Sequence, residues 1–246
     1  MTHELIGIGY SPWTQKARWV LDHHNISYRY TEHLIMVGIP LLRIKASKWS
    51  GNVTVPALVT GSRTLMDSFN IARWADEQGG STTLFPREHT GTIEAWNAKS
   101  ETILNAGRLL TTHAMHQNNQ ALSEGLPGAL KPLPGSVAVA KKTARYVLRK
   151  YDVPGSQSAW LETLRTGFSE FRELLGDKEY LLGEFSIADI TLAASLQVIE
   201  PPDVRYVPLG PASKQCWTRP ELVGEFTDLL AWRNQIFEKH GRPYQG

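Results

Sequence analysis

Apolar and polar positions follow two different rhythms along the 246-residue chain, and the change falls near Gly80. Leu5-Ile6-Gly7-Ile8 is a short apolar run of the kind that forms a buried strand. It stops at Gly9-Tyr10, and Ser11-Pro12 then gives a helix start, with a side-chain oxygen at the N-cap and proline in the first turn. Trp13, Ala17, Val20 and Leu21 follow at the spacing of one helix face, and Asn25 ends the helix. Residues 26–30 read as a second strand and residues 40–48 as a short helix. Val55-Pro56-Ala57-Leu58-Val59 reads as a strand opened by proline, and Thr60-Gly61-Ser62 as a turn into a short returning strand, Thr64-Leu65-Met66. Asp67-Ser68 caps a helix that runs through Ile71 and Trp74 towards Gly79-Gly80.

Beyond Ser81 the alternating pattern is lost and long helical periods replace it. The spacing predicts helices over 88–117, 137–151, 158–176, 187–199 and 220–239. The proline- and glycine-rich stretch 126–135 reads as a loop, and residues 201–220, with five prolines, as a second irregular segment. The fold class expected is an α/β head over residues 1–82 joined to an all-α remainder over 88–246.

Composition narrows the function classes. Apolar residues make up 41% and charged residues 20%, the profile of an ordinary globular protein. A net charge of +2 gives no electrostatic case for nucleic acid or for an anionic membrane. Lys141, Lys142, Arg145, Arg149 and Lys150 form a basic stretch whose spacing fits the solvent face of a helix. Cys216 is the single cysteine, so no intramolecular disulfide can form and a reducing, cytoplasmic setting is expected. No apolar run is long enough for a membrane span, and the first residues lack a signal-peptide pattern.

Four local motifs together resemble the cytosolic glutathione transferases. Strand, Ser11-Pro12-Trp13-Thr14 and helix resemble the active-site turn of the thioredoxin fold, with hydroxyls where the thiols would stand. Val55-Pro56-Ala57-Leu58 resembles the family's cis-proline turn, and Asp67-Ser68 its acidic residue-serine pair. Ser186-Ile187-Ala188-Asp189, preceded by Tyr180-Leu181-Leu182-Gly183, resembles its buried capping box. The resemblance implies a thioredoxin-like glutathione-binding domain, an all-helical domain for a hydrophobic second substrate, a homodimer, a role in detoxification and no metal.

The chemistry expected follows from the thiol of glutathione, whose pKa of about 8.5 leaves little thiolate at neutral pH. A hydroxyl at Ser11, at a helix N-terminus, can donate to the sulfur while the helix end favours its negative charge. Lowering that pKa by about two units takes roughly 2.7 kcal/mol of differential stabilisation. Ser11 is therefore the expected catalytic residue of a serine-type site. Val55 and Pro56 are expected to pair with the cysteinyl backbone, Asp67 and Ser68 to hold the γ-glutamyl end, and Trp13 to lie beside the second substrate. Thr54 stands where relatives carry a basic residue, so Lys48, Lys45 or Asn52 is left to hold the glycyl carboxylate, with Lys48 placed in the binding set. Leu109, His113 and His116 are the candidates for the pocket from the first long helix, with a solvent or pocket-wall role for the two histidines, and Cys216 is expected to be a buried or incidental thiol. The same residues would serve a glutathione-dependent isomerase, an ether-cleaving lyase or a peroxidase, and the fold also hosts non-catalytic protein-binding members.

Overall fold

The run Leu5-Ile6 lies in a strand that is paired on both sides. A computed structural model describes residues 3–244 apart from Met36, Ser62, 127–134 and 152–154. The head contains β1 (His3–Gly7), α1 (Pro12–His23), β2 (Tyr28–Glu32), α2 (Ile39–Lys45), β3 (Ala57–Val59), β4 (Thr64–Met66) and α3 (Ser68–Gln78). Its sheet has the order β2-β1-β3-β4, with β1 parallel to β2 and antiparallel to β3, and β3 antiparallel to β4. Leu5 lies opposite both Tyr30 and Leu58. Strand alternation sends Leu5 and Leu58 into the main core with α1 and α3, and Ile6 and Ala57 into a smaller one with Leu42 of α2.

The boundaries differ from the sequence reading in ways that have local causes. β2 starts at Tyr28 rather than at residue 26, because Asn25 adopts φ 53° and the chain needs two further residues to reach the sheet. β3 starts only at Ala57, after Pro56, whose nitrogen carries no hydrogen to donate to a ladder. The turn expected at residues 60–62 includes Ser62, outside the described residues, but Thr60 N–H donates to Arg63 C=O at 2.8 Å across the hairpin.

The remainder is helical: α4 (Thr90–Gln117), α5 (Asn119–Glu124), α6 (Ser136–Lys150), α7 (Gln157–Leu175), α8 (Ile187–Ser195), α9 (Pro211–Trp217), α10 (Pro220–Glu225) and α11 (Thr227–His240). Three corrections arise here. α5 was not expected; Asn118 caps it, its Oδ1 accepting from Gln120 and Ala121 N–H. α9 lies inside the proline-rich segment, where Pro211 occupies the first turn and is compatible with a helix. The helix expected over 220–239 is broken at Phe226, whose fully buried ring meets Phe168 edge-on at 5.9 Å. The loop expected at 126–135 falls almost wholly outside the described residues.

One buried cluster runs through both parts, from Leu5 and Val20 to Ile103, Phe168 and Leu192. α8 is its axle and packs on α1 and α4. The expected capping box starts it: Asp189 Oδ2 accepts from Ser186 N–H and Oγ at 2.9 Å, and Oδ1 accepts from Leu181 N–H at 2.8 Å. Burial outweighs these donors and pushes the Asp189 carboxyl up to about 6. α4 is seated by two close approaches. A Cβ on Gly107 would lie 2.5 Å from Val198, and one on Gly167 of α7 would lie 2.5 Å from Ile103.

Candidate functional site

The β1–α1 turn separates the two hydroxyls of Ser11-Pro12-Trp13-Thr14. Thr14 is fully buried, and its Oγ1 accepts from Ile8 N–H at 3.1 Å. Gly7 makes room for it, since a Cβ there would lie 2.5 Å from Thr14 Cγ2. Thr14 thus serves the turn. Ser11 holds the N-cap position of α1 by backbone alone: its N–H donates to Ile8 C=O at 2.9 Å and its C=O accepts from Gln15 N–H at 2.9 Å. Its hydroxyl makes no capping bond. The first helical turn leaves N–H groups without intrahelical partners, so the Ser11 hydroxyl stands at the positive end of the α1 dipole.

Ser11 opens onto a cavity of about 850 Å³ between head and helical remainder. Trp13, Val55, Pro56, Asp67 and Ser68 line the same cavity, with Val55–Pro56 in the cis form. Asp67 caps α3, its Oδ1 accepting from Phe69 N–H at 2.9 Å and Asn70 N–H at 3.1 Å. It does so at φ 77°, a conformation that costs an L-residue free energy and is held here by its surroundings. Ser68 is 1% exposed, yet among the described residues its hydroxyl has no hydrogen-bond partner. A buried hydroxyl without a partner is costly, so a residue of the cavity wall carries a hydrogen-bonding group that the described residues leave unsatisfied.

Lys48 does not join them. It is exposed and outside the cavity, and its carbonyl accepts from Arg43 Nη1 at 3.1 Å. Lys45 is engaged with Glu4, and Asn52 is exposed and also outside. The wall supplied by α4 is likewise not the expected one. Leu104, Arg108, Thr111 and Met115 line the cavity, whereas Leu109 is buried in the core and His113 stacks on Trp160 at 5.6 Å. His116 does not line the cavity either. The helix is rotated from the expected face because Leu109 is needed by the core. Lys142 and Lys150, read as part of a solvent face, are exposed but border the cavity from α6.

Several lining residues were not anticipated. Trp13 Nε1 donates to Glu101 Oε2 at 2.6 Å, and the buried Lys16 Nζ donates to Glu101 Oε1 at 3.1 Å. Arg108 lies with its guanidinium carbon 4.6 Å from the Trp13 ring centre and 3.5 Å from that of Tyr151. Glu101 and Arg108 are seven residues apart on one helix, a same-face spacing that was the available signal. Next to Ser11, Gly9 N–H donates to both Glu32 oxygens at 3.2 Å, and a Cβ on Gly9 would lie 2.7 Å from the Tyr244 hydroxyl. Burial, with the Glu32 carboxylate adding to it, pushes the Tyr10 phenol up to about 12, so it is protonated at neutral pH. Cys216 is buried outside this cavity, and burial raises its thiol pKa. Among the described residues no group of three His, Cys, Asp or Glu side chains could hold a metal ion.

A thioredoxin-like head with a helical remainder, and a cavity between them at a helix N-terminus, is the fold of the glutathione transferases. Residues 10–78 match the family model described as the glutathione S-transferase N-terminal domain. No curated protein matches the chain. Among solved structures, the chain is similar to a glutathione transferase of Phanerochaete chrysosporium (17% identity, 99% of this chain and 100% of that one, TM-score 0.66). It is similar also to a glutathione S-transferase of Ceriporiopsis subvermispora in complex with glutathione (20% identity, 100% of both chains, TM-score 0.61). A third is a glutathione S-transferase of Methylobacterium radiotolerans in complex with glutathione sulfonate (13% identity, 100% of this chain and 97% of that one, TM-score 0.60).

Proposed function

We propose that this protein is a glutathione transferase that activates the thiol through Ser11 and conjugates it to a hydrophobic, electrophilic small molecule. The observation that carries the reading is that Ser11 at the α1 terminus, whose hydroxyl makes no capping bond, and Ser68 at the α3 terminus, whose hydroxyl has no partner among the described residues, line one cavity together with Val55. The Ser68 hydroxyl and the α3 N-terminus suit the γ-glutamyl carboxylate. Asp67, with Oδ1 committed to the cap, has Oδ2 left for the α-amine. Val55 pairs with the extended cysteinyl backbone, which brings the sulfur to Ser11. There the hydroxyl donates to the thiolate, and the helix end supplies the remaining stabilisation.

On this reading residues 1–82 hold glutathione, and residues 88–246 shape the second site with Trp13 at the seam. The exposed apolar side chains of Leu41, Ile44 and Trp49 around α2 support a homodimer. Its setting is cytoplasmic and its role detoxification. The test is retention on immobilised glutathione together with conjugation of a generic aromatic electrophile. A folded chain that neither binds glutathione nor conjugates it is not this enzyme.

A further inference from the structure

The charges around the cavity are unevenly committed. Among the described residues four carboxylates line it, and each accepts hydrogen bonds from the protein through at least one oxygen. Glu32 accepts from Gly9 and Tyr30, Asp67 caps α3, Glu101 binds Trp13 and Lys16, and Glu124 accepts from Ala212 and Ser213 N–H at 3.2 and 2.7 Å. The cations are different. Among the described residues Arg108, Lys142 and Lys150 form no ion pair.

Arg108 is the most telling of them. Its guanidinium lies against the rings of both Trp13 and Tyr151, and among the described residues the one hydrogen bond of that group is from Nη2 to Asn105 Oδ1. Its Nε is inaccessible and has no partner among the described residues. Glu101 is near enough to act on Arg108, but both its oxygens are taken. Rings on its flanks hold a guanidinium flat and strip it of water, and a planar fork so placed matches a carboxylate or sulfonate. Lys150 lies 5.1 Å from the same Tyr151 ring and adds positive potential from the rim.

The geometry points to an anion subsite at Arg108, so that the second substrate is an aromatic or apolar molecule bearing a carboxylate- or sulfonate-type group. This rests on the glutathione reading for the identity of the first substrate, but the subsite itself stands on Arg108. Glutathione's glycyl carboxylate is the other source of the same chemistry. Arg108 belongs to α4 of the helical remainder and packs on Trp13, whereas Val55 and Ser68 belong to the head, which favours the second substrate.

The test uses two unreactive probes with one aromatic skeleton, 8-anilinonaphthalene-1-sulfonate and the neutral N-phenyl-1-naphthylamine. Their binding to the full chain is read by fluorescence, with glutathione affinity measured in parallel by calorimetry. The wild type should bind the sulfonate at least about tenfold more tightly than the neutral probe, the worth of one charge-assisted contact. Arg108→Leu should erase that preference while holding the neutral probe and glutathione within about twofold. If the Leu variant does not fold, Arg108→Gln should show the same loss. A wild type without the preference, or a folded variant that keeps it, overturns the subsite. Loss of glutathione affinity in step with the preference overturns it also, by assigning the anion to the glycyl carboxylate. A preference that depends on Arg108 in a protein that binds no glutathione upholds the subsite and removes only the proposed transferase activity.

Discussion

Trp13 donates its indole N–H to Glu101 at 2.6 Å, tying the first turn of α1 to α4 across the cavity. The other Glu101 oxygen neutralises Lys16, whose side chain is 2% exposed. Glu101→Leu should therefore leave a buried ammonium unpaired and free the Trp13 ring. We expect a loss of about 2–3 kcal/mol in urea unfolding, below the range for a fully buried pair because Glu101 is partly exposed. A loss under about 0.5 kcal/mol would show that the tie is a surface contact.

Ser11→Ala separates capping from catalysis. The hydroxyl makes no capping bond, so stability should change by less than about 0.5 kcal/mol, against about 1 kcal/mol for a true cap. The conjugation rate at neutral pH should fall by about ten- to a thousandfold. The defect should shrink at high pH, where solution chemistry deprotonates the thiol. Superimposable pH profiles of wild type and variant would exclude Ser11, and Tyr10, the neighbouring phenol on the cavity, would be tested next.

Ser68→Ala removes a buried hydroxyl that has no partner among the described residues. Thermal stability should hold or rise slightly, while glutathione affinity should weaken by about tenfold, the worth of one hydrogen bond to a charged group. Calorimetry with glutathione and a melting curve read both. Unchanged affinity would mean that the γ-glutamyl end lies elsewhere.

Asp189 gives a pH dependence whose sign is set by its raised pKa. The folded-state value, about 6, lies above the ordinary 3.8. Between these the folded chain binds the proton more tightly than the unfolded one, so the contribution of this group is whole below about pH 4 and declines as pH rises to about 6. Asp189→Asn lacks that decline. The stability gap by which wild type exceeds the variant should narrow by about 2 kcal/mol between about pH 4.5 and 7.5. A gap that widens over that interval would mean that the three donors outweigh burial.

Trp49, 75% exposed, tests the assembly. If the α2 region meets a second copy, Trp49→Glu should convert a dimer into a folded monomer of about half the mass in light scattering. A wild type already monomeric at micromolar concentration removes the proposal.

The head was largely legible because each of its elements carries a local signal: apolar runs for β1 and β3, Ser-Pro and Asp-Ser starts for α1 and α3, and a proline before the hairpin. The cavity-lining residues of the head were legible for the same reason, since Ser11, Val55, Pro56, Asp67 and Ser68 sit at those starts and turns. The opposite wall was not. Whether α4 turns Leu109 or Arg108 to the cavity depends on which face α7 and α8 cover, and both faces carry apolar residues. The break at Phe226 arises from packing on Phe168, a residue far away in sequence. Lys48 has the right charge close by in sequence, but it lies in a loop held by the Arg43 bond to its carbonyl, and its side chain is exposed.

The two glycine contacts that seat α4 have a consequence for laboratory evolution of this protein. With Gly107 against Val198 and Gly167 against Ile103, α4 has no room to slide or roll, and a larger residue at either glycine should displace the helix. α6 packs on α4 and α5 and lines the cavity with Val139, Thr143 and Val147. Diversity placed there changes the shape of the cavity without touching the Ser11 turn. New substrate ranges are therefore to be sought by rewriting α6, with α4 kept constant as the reference wall.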